Sequence, residues 1–169
     1  MNTAHIHLMI NHLPVVGFLL FVPLLFWSWS HRSHDIRRLV FCSGILLGML
    51  TLPAFLTGEG AEEAIEDQAG FSESRLEPHE EAADLALMAA LGTAGLSLTF
   101  LGLSFWRQLP DRLTFGSLLV ASLLTNTAMG WTAYLGGQIQ HSEIHGPNPL
   151  SSAQETRSAR HQSQDHDDD

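Results

Sequence analysis

The ten histidines are the residues of this chain whose chemistry and spacing say most about function. A neutral imidazole nitrogen ligates iron, copper or zinc, and two imidazoles from different helices can ligate a haem iron from opposite sides. A histidine near hydrocarbon is costly unless it faces the interior of a bundle, where it tends to be functional. Six of the histidines fall at one end of long apolar segments, and they are His5, His7, His12, His79, His141 and His145.

Depth along a helix predicts which of these side chains can share a ligand. His7, His79 and His141 each stand six residues beyond an apolar segment, which is about 9 Å at the rise of an α-helix. His12 lies closest to hydrocarbon, and we therefore expect it to be required for cofactor binding. His5 and His12 share a helix face but are two turns apart, so the partner of His12 must come from another helix, as His79, His141 or His145.

Two ligand sets follow from these positions. For haem b, the predicted cofactor-binding residues are His7, His12, His79, His141 and His145. For a copper, zinc or iron ion, the predicted ligands are His5, His12, His79, His141, His145 and Glu80. Carboxylates beside His79 are also predicted to orient its ring. The simpler alternative is that each histidine is an interfacial side chain that bonds a carbonyl or a carboxylate. His31, His34, His161 and His166 are expected to be inert.

Four apolar segments must position these histidines. Each is close to the 20 or so residues that cross about 30 Å of hydrocarbon, and in lipid the backbone must satisfy its own hydrogen bonds as a helix. The short first and third connections make sequential helices antiparallel. The sequence thus predicts an all-α integral membrane protein, a four-helix up-down-up-down bundle, with spans at about 6 or 13 to 29, 39–57, 82–106 and 113–136.

Charge distribution predicts the orientation of the bundle. The first and third connections carry most of the arginines, whereas the second, 59–84, is strongly acidic, and the net charge of the chain is −10. By the positive-inside rule, the arginine-rich connections are cytoplasmic. Both termini and the acidic loop 59–84 are then expected on the outer side of the plasma (inner) membrane.

Small and polar residues within the spans predict how the helices pack. Gly44 and Gly48 have GxxxG spacing in the second span, and Gly92, Gly95 and Gly102 lie along the third span. Small residues let helix backbones approach closely in a membrane. Asn126 is the main polar interruption of a span, and it is predicted to bond a neighbouring helix.

The chain divides into a membrane domain, 1–146, and a polar tail, 147–169. The tail is acidic, contains histidines and has almost nothing to bury, so it is predicted to be disordered. Cys42 is the only cysteine, which excludes an internal disulfide and a thiolate cluster. No phosphate-binding loop, nucleophile motif or basic patch is present, so nucleic acid is not an expected partner.

Three short motifs resemble a bacterial four-helix membrane family catalogued as domain of unknown function 2231. The first is His7, four residues, His12, one residue and Pro14; the others are the Leu-Thr-Gly turn at 56–58 and the Gly-Gly pair at 136–137 followed by His-Gly at 145–146. His79 also matches a family histidine. The resemblance covers about 5–146. It implies outward-facing histidines, His7, His12, His79 and His145 here, that bind haem or metal. Leucine replaces the family's frequent aromatic residue at 13.

These observations lead to one functional expectation and two alternatives. We expect a small b-type cytochrome-like membrane subunit, which holds haem or a metal at the outer ends of helices one, three and four for electron transfer. It would exchange electrons with a redox partner or a larger membrane complex rather than act as a stand-alone enzyme. The alternatives are a metal-binding or metal-handling membrane protein that uses histidines and carboxylates, and a structural subunit of a membrane complex.

Overall fold

The computed structural model describes residues 3–31, 33–63, 73–106 and 110–140. Four long helices dominate, and a short fifth helix continues the second one outward. These are α1 (Thr3–His31), α2 (His34–Leu56), α3 (Gly58–Glu63), α4 (Glu73–Ser104) and α5 (Asp111–Gln140). No strand occurs within the described ranges. The predicted all-α class and four-helix bundle are confirmed.

The long helices form a closed ring in the order α1, α2, α4, α5. Each packs against its two neighbours in that ring, and the short helix α3 packs against α1 and α2. Consequently α1 and α4 lie diagonally across the bundle axis. Residues of these two helices can meet only at the axis, which is where a central site would be.

The outer surface of the bundle is apolar. Each of the four long helices has the length and hydropathy of a membrane span, and leucines such as Leu8, Leu19, Leu46 and Leu124 are exposed. In water, so large an exposed apolar surface would promote association, whereas lipid tails solvate it. The fold is therefore consistent with insertion in a lipid bilayer, because its four long helices are long and apolar enough to cross one.

The core is closed by aromatic and aliphatic side chains in the middle of the bundle. On α1 the buried positions Pro14, Phe18, Phe21 and Leu25 alternate by four and three residues, as the inward stripe of a packed helix does. Phe18 is 0% exposed, and the neighbouring helices contribute further side chains that are almost fully buried, such as Phe41 and Leu118. Almost fully buried side chains therefore fill the middle of the bundle.

Small residues bring α2 and α4 close together, as the sequence predicts for one glycine pair. A Cβ built on Gly44 would fall 2.3 Å from Ser97 Oγ, and one on Gly48 would fall 2.5 Å from Ala94 Cβ. The packing role of Gly44 and Gly48 is confirmed.

The corresponding prediction for the glycines of α4 is wrong. No atom lies within 4 Å of a Cβ built on Gly92, Gly95 or Gly102, because these residues are on the outward face. The inward face of α4 instead presents alanine, serine and threonine.

Polar side chains inside the bundle are satisfied by hydrogen bonds. Asn126 Nδ2 donates to Phe18 O at 3.1 Å and to Ser122 O at 2.8 Å, so the predicted interhelical bond of Asn126 is confirmed. Thr93 and Thr125 share a buried bond of 3.0 Å between their hydroxyl oxygens, which links α4 to α5. These bonds fix the rotation of α5 relative to its two neighbours.

The structure extends the first and third spans at their starts. Helix α1 passes through Pro14, whose side chain packs in the core, and begins near the N-terminus, which decides between the two starts, about 6 or 13, that the sequence leaves open. Helix α4 begins at Glu73 and includes Pro78, ahead of the predicted apolar span that starts at 82. A proline inside a helix removes the backbone hydrogen bond of its missing N–H to the carbonyl four residues earlier. Both early starts extend histidine-bearing helices beyond the apolar segments.

The opposite end of the bundle is held by an ion pair. Arg37 Nη1 on α2 lies 2.9 Å from Asp111 Oδ1 at the start of α5, and both side chains are partly buried. Arg38 also lies over the ring of Phe105, 5.3 Å from its centroid. At this end, arginines therefore join helices as well as carrying charge.

Candidate functional site

Two of the predicted histidines line one cavity on the bundle axis. His7 comes from α1 and His79 from the diagonally placed α4, and both side chains line the cavity. The cavity has a volume of about 60 Å³, and all four long helices contribute to it. Its wall is formed by His7, Asn11, Pro14, Val15, Thr51, Ala54, Phe55, His79, Ala83, Ala86, Met129, Thr132 and Ala133.

The ring of His79 is oriented by a backbone carbonyl of the neighbouring helix. His79 Nδ1 lies 3.0 Å from Thr132 O, and a carbonyl oxygen can only accept a hydrogen bond. Nδ1 therefore carries the proton in the neutral ring, and Nε2 holds the free lone pair. This arrangement, in which one ring nitrogen donates to a carbonyl, is typical of histidines that ligate a metal.

The ring of His7 is oriented by a hydroxyl at the end of α2. His7 Nδ1 lies 3.1 Å from Thr57 Oγ1. Thr57 Oγ1 also lies 2.9 Å and 3.0 Å from the carbonyl oxygens of Pro53 and Ala54, and its one proton can be donated to either of them. When it is, Thr57 Oγ1 accepts the hydrogen bond from His7 Nδ1–H. The lone pair of His7 is then on Nε2 as well.

A glycine on α5 makes room for the imidazole of His79. A Cβ built on Gly136 would fall 2.9 Å from His79 Cε1 and 3.2 Å from His79 Nδ1. A Cβ on Gly58 would lie 3.8 Å from His7 Cε1, which is ordinary contact. Gly137, the other half of the Gly-Gly pair, has no atom within 4 Å of its added Cβ. Only Gly136 is thus required for the histidine to fit.

The remaining predicted ligands do not line this cavity, or lie where the structure does not describe them. His5 and His12 are exposed on α1, and His12 Nδ1 bonds the carbonyl of Leu8 in its own helix. Glu80 is exposed, and the ring of His79 is oriented by Thr132 O rather than by the neighbouring carboxylates. The predictions for His141, His145 and the tail 147–169 concern residues outside the described ranges.

Sequence reasoning missed several residues of the site. Asn11 and Met129 line the cavity, and Thr57 and Thr132 orient the rings. A signal for Asn11 was available, since 7, 11, 14, 18, 21 and 25 follow one alternation of four and three residues, which is the inward stripe of α1. No such signal identifies a backbone carbonyl as a ring partner.

The two imidazoles that line the cavity are donors that a transition-metal ion could use. Two imidazoles with free Nε2 lone pairs face a cavity large enough for an ion and a few water molecules, since one water requires about 10–15 Å³. Within the described ranges no cluster of three His, Cys, Asp or Glu side chains is suited to an ion.

Comparisons with known proteins give no information about this site. No family model matches the chain, and neither a curated protein nor a solved structure shows significant similarity to it.

Proposed function

We propose that this protein is a metal-binding membrane protein in which His7 and His79 hold a transition-metal ion on the axis of a four-helix bundle. One observation carries the proposal: two imidazoles from diagonal helices line a common cavity, and each is tied through Nδ1. The predicted metal-handling alternative is thereby preferred to the b-type cytochrome.

Preorganisation supports metal binding over a purely structural role. In each ring a hydrogen bond from Nδ1 fixes the tautomer, and Nε2 keeps its lone pair. Two such lone pairs near one cavity attract a cation.

The closed core beneath the cavity supports retention of the ion rather than conduction. Phe18, Phe21, Phe41 and Leu118 are each at most 1% exposed, and they fill the axis between the histidine end and the Arg37–Asp111 end. An ion that enters the cavity must leave from the same end. We therefore propose that the protein stores, senses or hands over an ion on one side of the membrane.

The positive-inside rule supports an outward-facing site. The arginine-rich end contains Arg37, Arg38 and Arg112, whereas acidic residues such as Glu59 and Glu77 lie at the histidine end. Acidic side chains at the outer end would raise the local concentration of cations. The proposed metal centre then opens to the periplasmic or extracellular side.

Metal titration of matched histidine variants tests the proposal. Full-length protein is purified in detergent, stripped with a chelator and titrated with Cu(I), Zn(II) and Fe(II), and its absorption spectrum is recorded after reduction. We expect His7→Ala and His79→Ala each to lower metal affinity by roughly 10–100-fold or more, since each loses half of the donor pair. His5→Ala and His12→Ala are the controls, and we expect wild-type affinity from both.

Two results would overturn the proposal. The first is metal affinity that is unchanged in both His7→Ala and His79→Ala. The second is a haem spectrum in the purified protein that disappears with the His12→Ala substitution, since that would establish the haem site expected from the depth of His12.

A further inference from the structure

Beyond metal binding itself, the composition of the cavity wall specifies which ion is bound. Among the wall residues the side chains with strong or soft donor atoms are His7, His79 and Met129, and the wall has no carboxylate and no thiolate. We infer that the ion is monovalent copper, Cu(I), and that the thioether sulfur of Met129 is its third ligand. This inference rests on the proposed function.

The softness of the donor atoms in the wall favours Cu(I). Thioether sulfur is a soft donor that selects Cu(I), and imidazole also binds copper well. Mg²⁺, Ca²⁺ and Mn²⁺ prefer carboxylate and carbonyl oxygens. The side-chain oxygen atoms of the wall belong to Asn11, Thr51 and Thr132, and all of them are neutral. The donor set is therefore a poor match for hard cations.

The absence of charge on the donor side chains favours a monovalent ion. All three donor side chains are neutral, and the cavity lies among apolar helices, where an ion loses much of its hydration. The Born cost of that transfer grows with the square of the charge, so a divalent ion pays about four times as much as a monovalent ion of equal size. The carboxylates of Glu77, Glu80 and Glu81 are exposed rather than in the wall, so they do not offset a second charge.

Met129 is buried, whereas the other methionines of the described ranges are exposed. Met9, Met49 and Met88 are 64%, 61% and 63% exposed on the lipid-facing surface, whereas Met129 is 5% exposed and contributes to the cavity wall. Met129 lies one turn before Thr132, whose carbonyl orients His79, so the sulfur and that imidazole are placed by neighbouring turns of α5. A flexible thioether at this place can approach an ion held by the two rings.

Substitution of Met129 by leucine tests the inference, with Met88→Leu as the matched control on the outer surface. Leucine conserves volume, so the bundle is expected to fold. Under anaerobic, reducing conditions we expect Met129→Leu to lower Cu(I) affinity by about tenfold or more, because one of three ligands is lost. Its Zn(II) affinity should stay within about twofold of the wild type, since zinc favours nitrogen and thiolate donors. Ag(I) serves as a redox-inert probe and should follow Cu(I).

X-ray absorption at the copper edge supplies a second measurement, which detects the ligand atoms directly. The wild-type protein loaded with Cu(I) should show one sulfur scatterer together with nitrogen scatterers, and the sulfur should be absent in Met129→Leu but present in Met88→Leu. A wild-type spectrum without sulfur, or an unchanged Cu(I) affinity in Met129→Leu, would overturn the inference. If His7→Ala and His79→Ala nevertheless lose metal, only the assignment of Met129 and Cu(I) fails. If those two variants keep it, the proposed function fails as well.

Discussion

Gly136 on α5 leaves the space that the imidazole of His79 on α4 occupies. A Cβ at position 136 would lie 2.9 Å from His79 Cε1, closer than side-chain contacts allow, and the ring cannot simply turn away because Nδ1 is bonded to Thr132 O. The identity of one small residue thereby controls the orientation of a ring on another helix. The predictions below depend on such pairs.

Replacing Gly136 by alanine should weaken metal binding without preventing insertion of the bundle. The added methyl group displaces the His79 ring and strains its bond to Thr132 O, and disturbance of a ring that supports a ligand costs roughly 10–100-fold in metal affinity. Gly137→Ala is the control, since nothing lies within 4 Å of its added Cβ. Metal titration of both variants checks this. Equal affinity in the two would show that the ring is not held as described.

Replacing Thr57 by valine should weaken metal binding through His7. Valine keeps the shape of threonine but removes the oxygen that accepts the His7 Nδ1–H bond. We expect roughly 10–100-fold lower affinity, and recovery in Thr57→Ser, which keeps the hydroxyl. Thr127→Val is the control, because the hydroxyl of Thr127 is exposed and bonds only Leu123 O in its own helix. A Thr57→Val variant with unchanged affinity would mean that His7 does not need this acceptor.

Replacing Gly48 by alanine should destabilise the bundle. Its Cβ would fall 2.5 Å from Ala94 Cβ and 3.0 Å from the carbonyl oxygen of Ala90, so α2 and α4 must separate. Overpacking of this kind costs about 1–3 kcal/mol. Gly92→Ala should leave stability unchanged or raise it by up to about 1 kcal/mol, because Gly92 is on the open face and alanine favours the helix. Thermal unfolding in detergent distinguishes the two. A stable Gly48→Ala variant would contradict the close packing.

Thiol labelling should locate the histidine end on the outer side of the membrane. In a Cys42→Ala background, Glu63→Cys at the end of α3 should react with a membrane-impermeant maleimide in intact cells. Asp35→Cys at the start of α2 should react only after lysis, because the arginine-rich end is predicted to be cytoplasmic. The reverse pattern would invert the topology and place the cavity inside.

Most of the fold could be predicted from the sequence because a bilayer imposes length and hydropathy on each span. The four long helices and the packing of Gly44 and Gly48 follow from those constraints. The side of each helix that faces the core could not be predicted in this way, because in a membrane both the core-facing and the lipid-facing positions are apolar. For that reason Gly92 was expected at a helix interface, although it lies on the open face of α4.

The site was predicted only in part, and the reason lies in the rotation of α1. Depth alone favoured His12, which is closest to the apolar segment. The structure places His7 and Asn11 on the inward stripe and His12 on the exposed face, because α1 continues unbroken through Pro14. A continuous helix fixes the angle between His7 and Pro14, seven residues apart. The sequence alone does not say whether Pro14 lies inside the helix, so it does not give that angle.

The central claim is that one metal ion is bound by two imidazoles, those of His7 and His79. X-ray absorption of the metal-loaded protein tests it most directly, since scattering from imidazole rings counts the histidine ligands. We predict two imidazoles in the wild-type protein and the same two in a His5→Ala, His12→Ala double variant. A wild-type spectrum without imidazole, or a count that falls when His5 and His12 are replaced, would contradict the account.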